Sequence, residues 1–337
     1  MNKEFKPIIE IEENPQEIIK YIQFGTNIPV LKEFHSFILS DLNNFLPKSI
    51  ILKEDGEIIG HVLLYDDGGD TLYFGFFKAQ NHDKKLIKFL VNLLIDYGRN
   101  HNFIYIRGPI NIPTFIYGWG FMQKGSLDNT FIAKPVNHYI YQEIFMQKGF
   151  FVKSQQGTWE GTLPVFSEEE LQNFDFTDYE TYQPKDWNEL RNFKGLILSL
   201  SAQNLSQESQ ITPSPIKLFD NFVNFVECYG DLSMLNLLKY KPSEKYIGCY
   251  ISLPNPLRRN DKGLPDSFII YSVTIEKEHR GKGLSLLLHK EALDKASKNH
   301  MNYCSAPIEI NRKRVITVSE RKGLSHTRTH LILENQL

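Results

Sequence analysis

The stretch Ser272–Ala292, SVTIEKEHRGKGLSLLLHKEA, runs from an apolar, β-branched segment through Arg280-Gly281-Lys282-Gly283 into a segment of helical periodicity. A strand that passes straight into a glycine turn and then into a helix leaves several backbone N–H groups unpaired and aimed at one point. Such a point binds anions, and the positive end of the helix dipole strengthens it. The glycines admit an anion close to the backbone, while Arg280 and Lys282 add charge-assisted contacts. Two familiar phosphate loops are excluded by spacing. A P-loop reads Gly-x-x-x-x-Gly-Lys-Ser/Thr, but Glu276 precedes Gly281 by five positions and Gly283 follows Lys282. A dinucleotide fingerprint wants a third glycine where Leu286 stands.

The chain around this motif has 337 residues, 41% of them hydrophobic, which favours two domains over one. Its formal net charge of -2 and pI near 6.6 provide no global field to gather nucleic acid or an anionic membrane, so neither is an expected partner. The basic charge is local. From Pro256 onward fifteen Lys/Arg face nine Asp/Glu. The three cysteines, Cys228, Cys249 and Cys304, form no C-x-x-C pair, and no histidine stands at zinc-ligand spacing. A disulfide framework and a metal site are therefore not expected. The start, MNKEFKPIIEIEENPQ, lacks the apolar core of a signal peptide, and no apolar run approaches the length of a membrane span. A soluble, cytoplasmic protein is expected.

In the first half, residues 46–77 read as three strands joined by turns at Asp55-Gly56 and Asp67-Gly68-Gly69, an antiparallel meander. Leu86, Leu90, Leu93, Leu94 and Tyr97 then mark a helix ending at Gly98, followed by a short strand at 103–107 and an aromatic, glycine-punctuated loop. The acidic, proline-flanked segment 162–182 is the expected domain boundary. Beyond it, helical periodicity covers 185–205 and 216–240, with a polar loop between. Strands follow at 245–253 and 267–275, then a helix at 284–300, a strand at 302–306, a helix closing at Gly323 and a last strand at 326–334.

Glu278-His279-Arg280-Gly281-Lys282-Gly283 resembles the Gln/Arg-x-x-Gly-x-Gly/Ala signature of the GNAT (Gcn5-related N-acetyltransferase) superfamily, with Glu in place of the usual first residue. The order of elements over residues 185–335 is similar to that superfamily as well. The first half, through GFFKAQNHDKKL, IRGPIN, GWGF, Tyr141 and Gly149-Phe150, resembles the amino-terminal part of bacterial GNAT-like N-acyltransferases. The resemblance implies an α/β fold with an α+β mixed sheet: two GNAT-like acyl-CoA N-acyltransferase domains in tandem, residues 1–165 and 166–337. Asn81-His82-Asp83-Lys84-Lys85 falls where the first copy's glycine loop belongs. With no glycine there, that copy is expected to be degenerate and not to bind CoA.

For the second copy the resemblance implies a co-substrate, acetyl-CoA or another acyl-CoA. The backbone of Val273 and Thr274 would pair with the pantetheine arm, His279, Arg280, Gly281, Lys282, Gly283 and Leu284 would hold the pyrophosphate, and Asn311 would stand near the pantetheine. Direct acyl transfer to an amine needs a deprotonated amine, a polarised carbonyl and a proton for the leaving thiolate. The superfamily's tyrosine proton donor is expected four residues before Gly323, where this chain has Ser319, a poor acid. Tyr271 stands where a carboxylate base is common and reads either as a substitute proton carrier or as a buried structural tyrosine. Asp266 and Glu309 are candidate bases or surface acids, and Arg258-Arg259 either touch the CoA 3'-phosphate or belong to a solvated loop. Phe115, Tyr117, Trp119 and Phe121 either line an acceptor pocket or pack. The expected function is acyl-CoA-dependent N-acylation of a small amine or amino-acid-like acceptor. The alternatives are a non-catalytic acyl-CoA-binding or sensing protein and a structural GNAT-fold module.

Overall fold

The computed structural model describes residues 7–126, 131–204 and 212–337. It divides into two compact units: unit 1 is Met1–Gln155 with Thr212–Lys217 and Arg328–Leu337, and unit 2 is Gln156–Ile211 with Leu218–Thr327. The division falls at Gln155/Gln156 rather than at 165/166, and the last strand, expected in the second domain, lies mainly in unit 1.

In chain order unit 1 contains β1 (Ile8–Glu12), α1 (Pro15–Gly25), α2 (His35–Phe45), β2 (Lys48–Glu54), β3 (Glu57–Tyr65), β4 (Thr71–Ala79), α3 (Lys84–Asn100), β5 (Tyr105–Gly108), α4 (Thr114–Tyr117), β6 (Phe121–Gly125) and α5 (Ile140–Gln147). The next strand, β7 (Phe151–Thr162), contains the division. Unit 2 continues with α6 (Glu168–Gln172), β8 (Tyr179–Tyr182), α7 (Trp187–Asn192), α8 (Lys194–Asn204), α9 (Pro215–Tyr229, in unit 2 from Leu218), β9 (Leu235–Tyr240), β10 (Lys245–Pro254), β11 (Ser267–Ile275), α10 (Leu284–Lys298), β12 (Tyr303–Glu309) and α11 (Lys313–Arg321). Then comes β13 (Ser325–Gln336).

The two units repeat one plan. In unit 1, β1 to β4 pair antiparallel in order, α3 crosses over, and β5 returns parallel to β4 over three residue pairs, Thr71↔Tyr105 to Tyr73↔Arg107. In unit 2, β8 to β11 pair antiparallel in order, α10 crosses over, and β12 returns parallel to β11 over three pairs, Ser267↔Tyr303 to Ile269↔Ser305. The predicted mixed sheets and the duplicated order of elements are therefore both present. Each crossover helix buries one apolar face. In α3 it carries Leu86, Leu90 and Leu94, and in α10 Leu284, Leu288 and Ala292.

Local differences from the sequence reading have physical reasons. Gly98 does not end α3, which runs on to Asn100; it leaves room for Leu337, whose Cδ1 would lie 2.6 Å from an added Cβ. The helical reading of 216–240 stops at Tyr229, because LNLLKY pairs as β9 between β8 and β10. The helix expected over 185–205 breaks at Phe193 into α7 and α8. Much of the loop expected after it lies outside the described residues. Among the described residues, no helix is long and apolar enough to cross a membrane.

Candidate functional site

Unit 2 opens where β11 and β12 part. After Ile269↔Ser305, β12 turns to β7, pairing Ala306 with Trp159 and Glu309 with Gln156, so among the described residues the facing edge of β11 from Ile270 to Ile275 has no strand beside it. The splay coincides with a bulge. Ile251 pairs with Ser272 but Ser252 pairs with Ile270, which leaves Tyr271 as the extra residue of β11. A bulge bends its strand and interrupts the ladder, which suits the edge of a cleft.

The glycine motif follows at the end of this free edge. Gly281 and Gly283 have φ of 83° and 75°, the left-handed region. Gly283 is the N-cap of α10 and has no side chain to cap it. Among the described residues, the backbone N–H groups of Gly281, Lys282, Gly283, Leu284 and Ser285 have no acceptor. Five amides therefore crowd the positive end of a 15-residue helix.

The two glycines serve different purposes. An added Cβ at Gly281 would meet nothing within 4 Å, so that position is open to a ligand. An added Cβ at Gly283 would lie 2.4 Å from the ring of Phe174, so there the glycine makes room for the protein itself and not for a phosphate. Gly283→Val is expected to lower the stability of unit 2 by about 3 kcal/mol, combining left-handed strain with overpacking. Chemical denaturation reads the change directly, and an unchanged midpoint would show that Phe174 moves aside freely.

The side chains of the motif do not all point at the opening. Arg280 Nε donates to the Ile275 carbonyl at 2.9 Å and ties the turn back to β11. Lys282 Nζ donates to the Tyr179 hydroxyl at 2.7 Å, which raises the pKa of its ammonium. His279 Nδ1 lies 3.1 Å from the same hydroxyl, and its ring packs against Tyr240. Val273 is half-buried against the core, and Thr274 is buried with Oγ1 3.1 Å from Cys249 Sγ, so only backbone from these two is available to a ligand. Leu284 is buried beneath the turn. Asn311 is exposed between β12 and α11, where its carbonyl accepts from Lys313 N–H.

The proton-transfer candidates separate. Tyr271 stacks on Phe222 of α9 at 5.3 Å between ring centroids, and Ser319 is half-buried in α11. Asp266 pairs with Arg258 at 3.4 Å and Glu309 with Arg312 at 2.8 Å. Burial pushes the Cys249 thiol up to about 11 and the Cys304 thiol up to about 12, so neither is a nucleophile near neutral pH. The sequence reading missed Glu160. It is 5% exposed and stands in register with Ser305, whose buried Oγ has no partner, at the last paired rung before the splay. Its place before the expected boundary hid it. Alternation in the strand segment GTWEGT is the signal that could have drawn attention to it.

Unit 1 has the same plan with its cleft filled. Its bulge residue is Phe76, with φ of 48°, and the Phe76 N–H donates to Asn111 Oδ1 at 2.6 Å. Asn111 Nδ2 in turn donates to the Tyr117 carbonyl, and Tyr65 Oη donates to the Ile110 carbonyl at 2.8 Å. The segment after β5 thus occupies the space beside the free edge of β4. At the start of α3, Asp83 caps the amides of Lys85 and Leu86 at 2.7 and 3.0 Å, where unit 2 leaves its helix bare. Phe115, Tyr117 and Phe121 are buried at 1% exposure or less and pack. In unit 1 its own asparagine and aspartate occupy the two places that unit 2 leaves open.

No protein-family model matches the chain. No curated protein is detectably similar to it in sequence. Solved structures are similar in fold. A tandem GNAT protein from the clavulanic acid biosynthesis pathway, solved without acetyl-CoA, superimposes with a TM-score of 0.60 at 10% identity, covering 98% of both chains. A GCN5-related N-acetyltransferase from Sphaerobacter thermophilus gives 0.58 at 11% identity, covering 97% of this chain and 95% of that one. A GCN5-related glucosamine N-acetyltransferase region of a fungal multi-domain GH3 β-N-acetylglucosaminidase gives 0.65 at 15% identity, covering 98% of this chain and 38% of that one. The chain has the tandem GNAT fold.

Proposed function

We propose that unit 2 binds an acyl-CoA and transfers its acyl group directly to a small amine. The observation that carries this reading is the row of five unpartnered amides at the start of α10, beside the free edge of β11. A diphosphate supplies acceptors for those amides, and an extended, amide-bearing arm such as pantetheine suits an unpaired strand edge. Acetyl-CoA is the simplest donor of this class.

In the reaction the amine nitrogen attacks the thioester carbonyl carbon, the C–N bond forms, and the C–S bond breaks. The proton lost by the amine needs a base, and we assign that role to Glu160, whose strand position is in register with Ser305 at the last rung before the splay. The thiolate is released and protonated from water, since Ser319 is too weak an acid to serve. The second reading, an acyl-CoA-binding protein without catalysis, is favoured by Ser319 alone.

Gly281→Asp tests the reading. Aspartate tolerates the left-handed region better than most residues and meets open space at 281, but its charge would repel a diphosphate. Calorimetry is expected to show CoA binding by the wild type and a loss of at least about 100-fold in G281D, equivalent to about 2.7 kcal/mol. Equal affinities would place the CoA site elsewhere. Thiol release from acetyl-CoA with a panel of primary amines then separates an enzyme from a binding protein.

A further inference from the structure

The reading of unit 2 as an acyl-CoA site can be taken one residue further, to Tyr179 of β8. We propose that Tyr179 is a positioning residue for coenzyme A, whose hydroxyl gathers Lys282 and His279 so that their remaining N–H groups face the diphosphate. This rests on the function proposed above.

A phenol oxygen has one proton to give and two lone pairs to offer. The Lys282 ammonium can only donate, so at 2.7 Å the Tyr179 oxygen accepts from it. The Tyr179 proton then goes to His279 Nδ1 at 3.1 Å. With His279 Nδ1 as that acceptor, the ring N–H is on Nε2. Lys282 keeps two N–H groups and His279 keeps one, all free of this contact. These donors flank Gly281, the first of the bare amides.

The cluster is held from several sides. Tyr179 is in register with Tyr240 across β8 and β9, and the rings are 5.3 Å apart. The His279 ring sits 4.8 Å from Tyr240 and meets Tyr179 edge-on at 5.7 Å. The Lys282 ammonium is also 5.4 Å from the centroid of the Tyr179 ring. A lysine on a surface turn ordinarily samples many rotamers and loses that freedom on binding. Here the loss is taken before the ligand arrives, which favours affinity. A purely structural tyrosine would need only its ring in the core, where Tyr179 is 8% exposed.

Tyr179→Phe keeps the ring and removes the hydroxyl. Calorimetry on the full chain would compare wild type, Y179F, K282M and the double variant, with CoA and with pantetheine, which lacks phosphate. The expected result is a loss of about tenfold for CoA in Y179F, no change for pantetheine, and a double variant little weaker than K282M. Nitrogen-15 spectra of the imidazoles should show His279 as the Nε2–H tautomer in wild type, with that preference lost in Y179F. CoA affinity unchanged in Y179F, an equal loss for pantetheine, or strict additivity in the double variant would overturn the proposal alone. Failure of wild type to bind CoA would overturn the function proposed above as well.

Discussion

A chain ending at Thr327 is expected to lose the cooperative unfolding of unit 1 while keeping that of unit 2. Residues Arg328–Leu337 belong to unit 1, where β13 pairs with β5 from Leu333↔Gly108 to Gln336↔Tyr105 and with β6 from Arg328↔Gly125 to Leu331↔Phe121. Leu331, Ile332 and Leu333 are each 1% exposed or less, and burying three such side chains contributes about 5–9 kcal/mol. Glu334 is 2% exposed and holds Arg107 Nε at 2.6 Å and Lys153 Nζ at 3.0 Å. Removing one partner of a buried ion pair costs about 3–5 kcal/mol. Together these losses match the whole stability of a typical domain, about 5–15 kcal/mol. Near-ultraviolet circular dichroism and limited proteolysis of the truncated chain check this, and a peptide covering 325–337 is expected to restore the missing transition. Two intact transitions without those residues would show that unit 1 is complete without its last strand.

Acid is expected to weaken unit 1 well before its carboxylates titrate. His61 is fully buried, with Nδ1 donating to the Phe76 carbonyl at 2.9 Å and Nε2 accepting from Ser49 Oγ at 2.5 Å, and burial lowers its pKa to about 4. His330 is 4% exposed, with Nε2 donating to the Pro135 carbonyl at 2.7 Å, and burial lowers its pKa to about 3. Below about pH 6.5 an unfolded imidazole takes up a proton that these two rings refuse. Unfolding then binds protons, so stability falls as pH drops from about 6.5 toward 4 for His61 and 3 for His330. At pH 5 each ring accounts for about 2 kcal/mol, about 4 kcal/mol for the pair. Guanidinium midpoints at pH 7 and pH 5 give the loss, and His330→Gln, which keeps a donor for Pro135, should remove about half of it. Equal midpoints at the two pH values would mean that water reaches both rings.

Much of this was legible in the sequence because it depends on local signals. The turns at Asp55-Gly56 and Asp67-Gly68-Gly69 fixed the meander, since each joins strands that pair in register. Gly281 was legible because an open, left-handed turn leaves few alternatives to glycine. The missing parts are long-range. Whether the last strand joins one unit or the other depends on partners more than two hundred residues away, as in the Arg107–Glu334 pair, and no local pattern encodes that. Gly283 looked like its neighbour, yet its reason is Phe174, on a loop a hundred residues earlier in the chain. Tyr179 and Glu160 carry no motif. They matter only once β8 and β9 bring Tyr179 to the turn, and β7 brings Glu160 to Ser305.

Selective nitrogen-15 labelling of glycine, with CoA titrated into the intact chain, tests the central idea most directly. The amides of Gly281 and Gly283 are predicted to shift and saturate together, while those of Gly75 and Gly108 beside the filled cleft of unit 1 stay where they are. Stationary Gly281 and Gly283 resonances at saturating CoA, or shifts confined to unit 1, would contradict it.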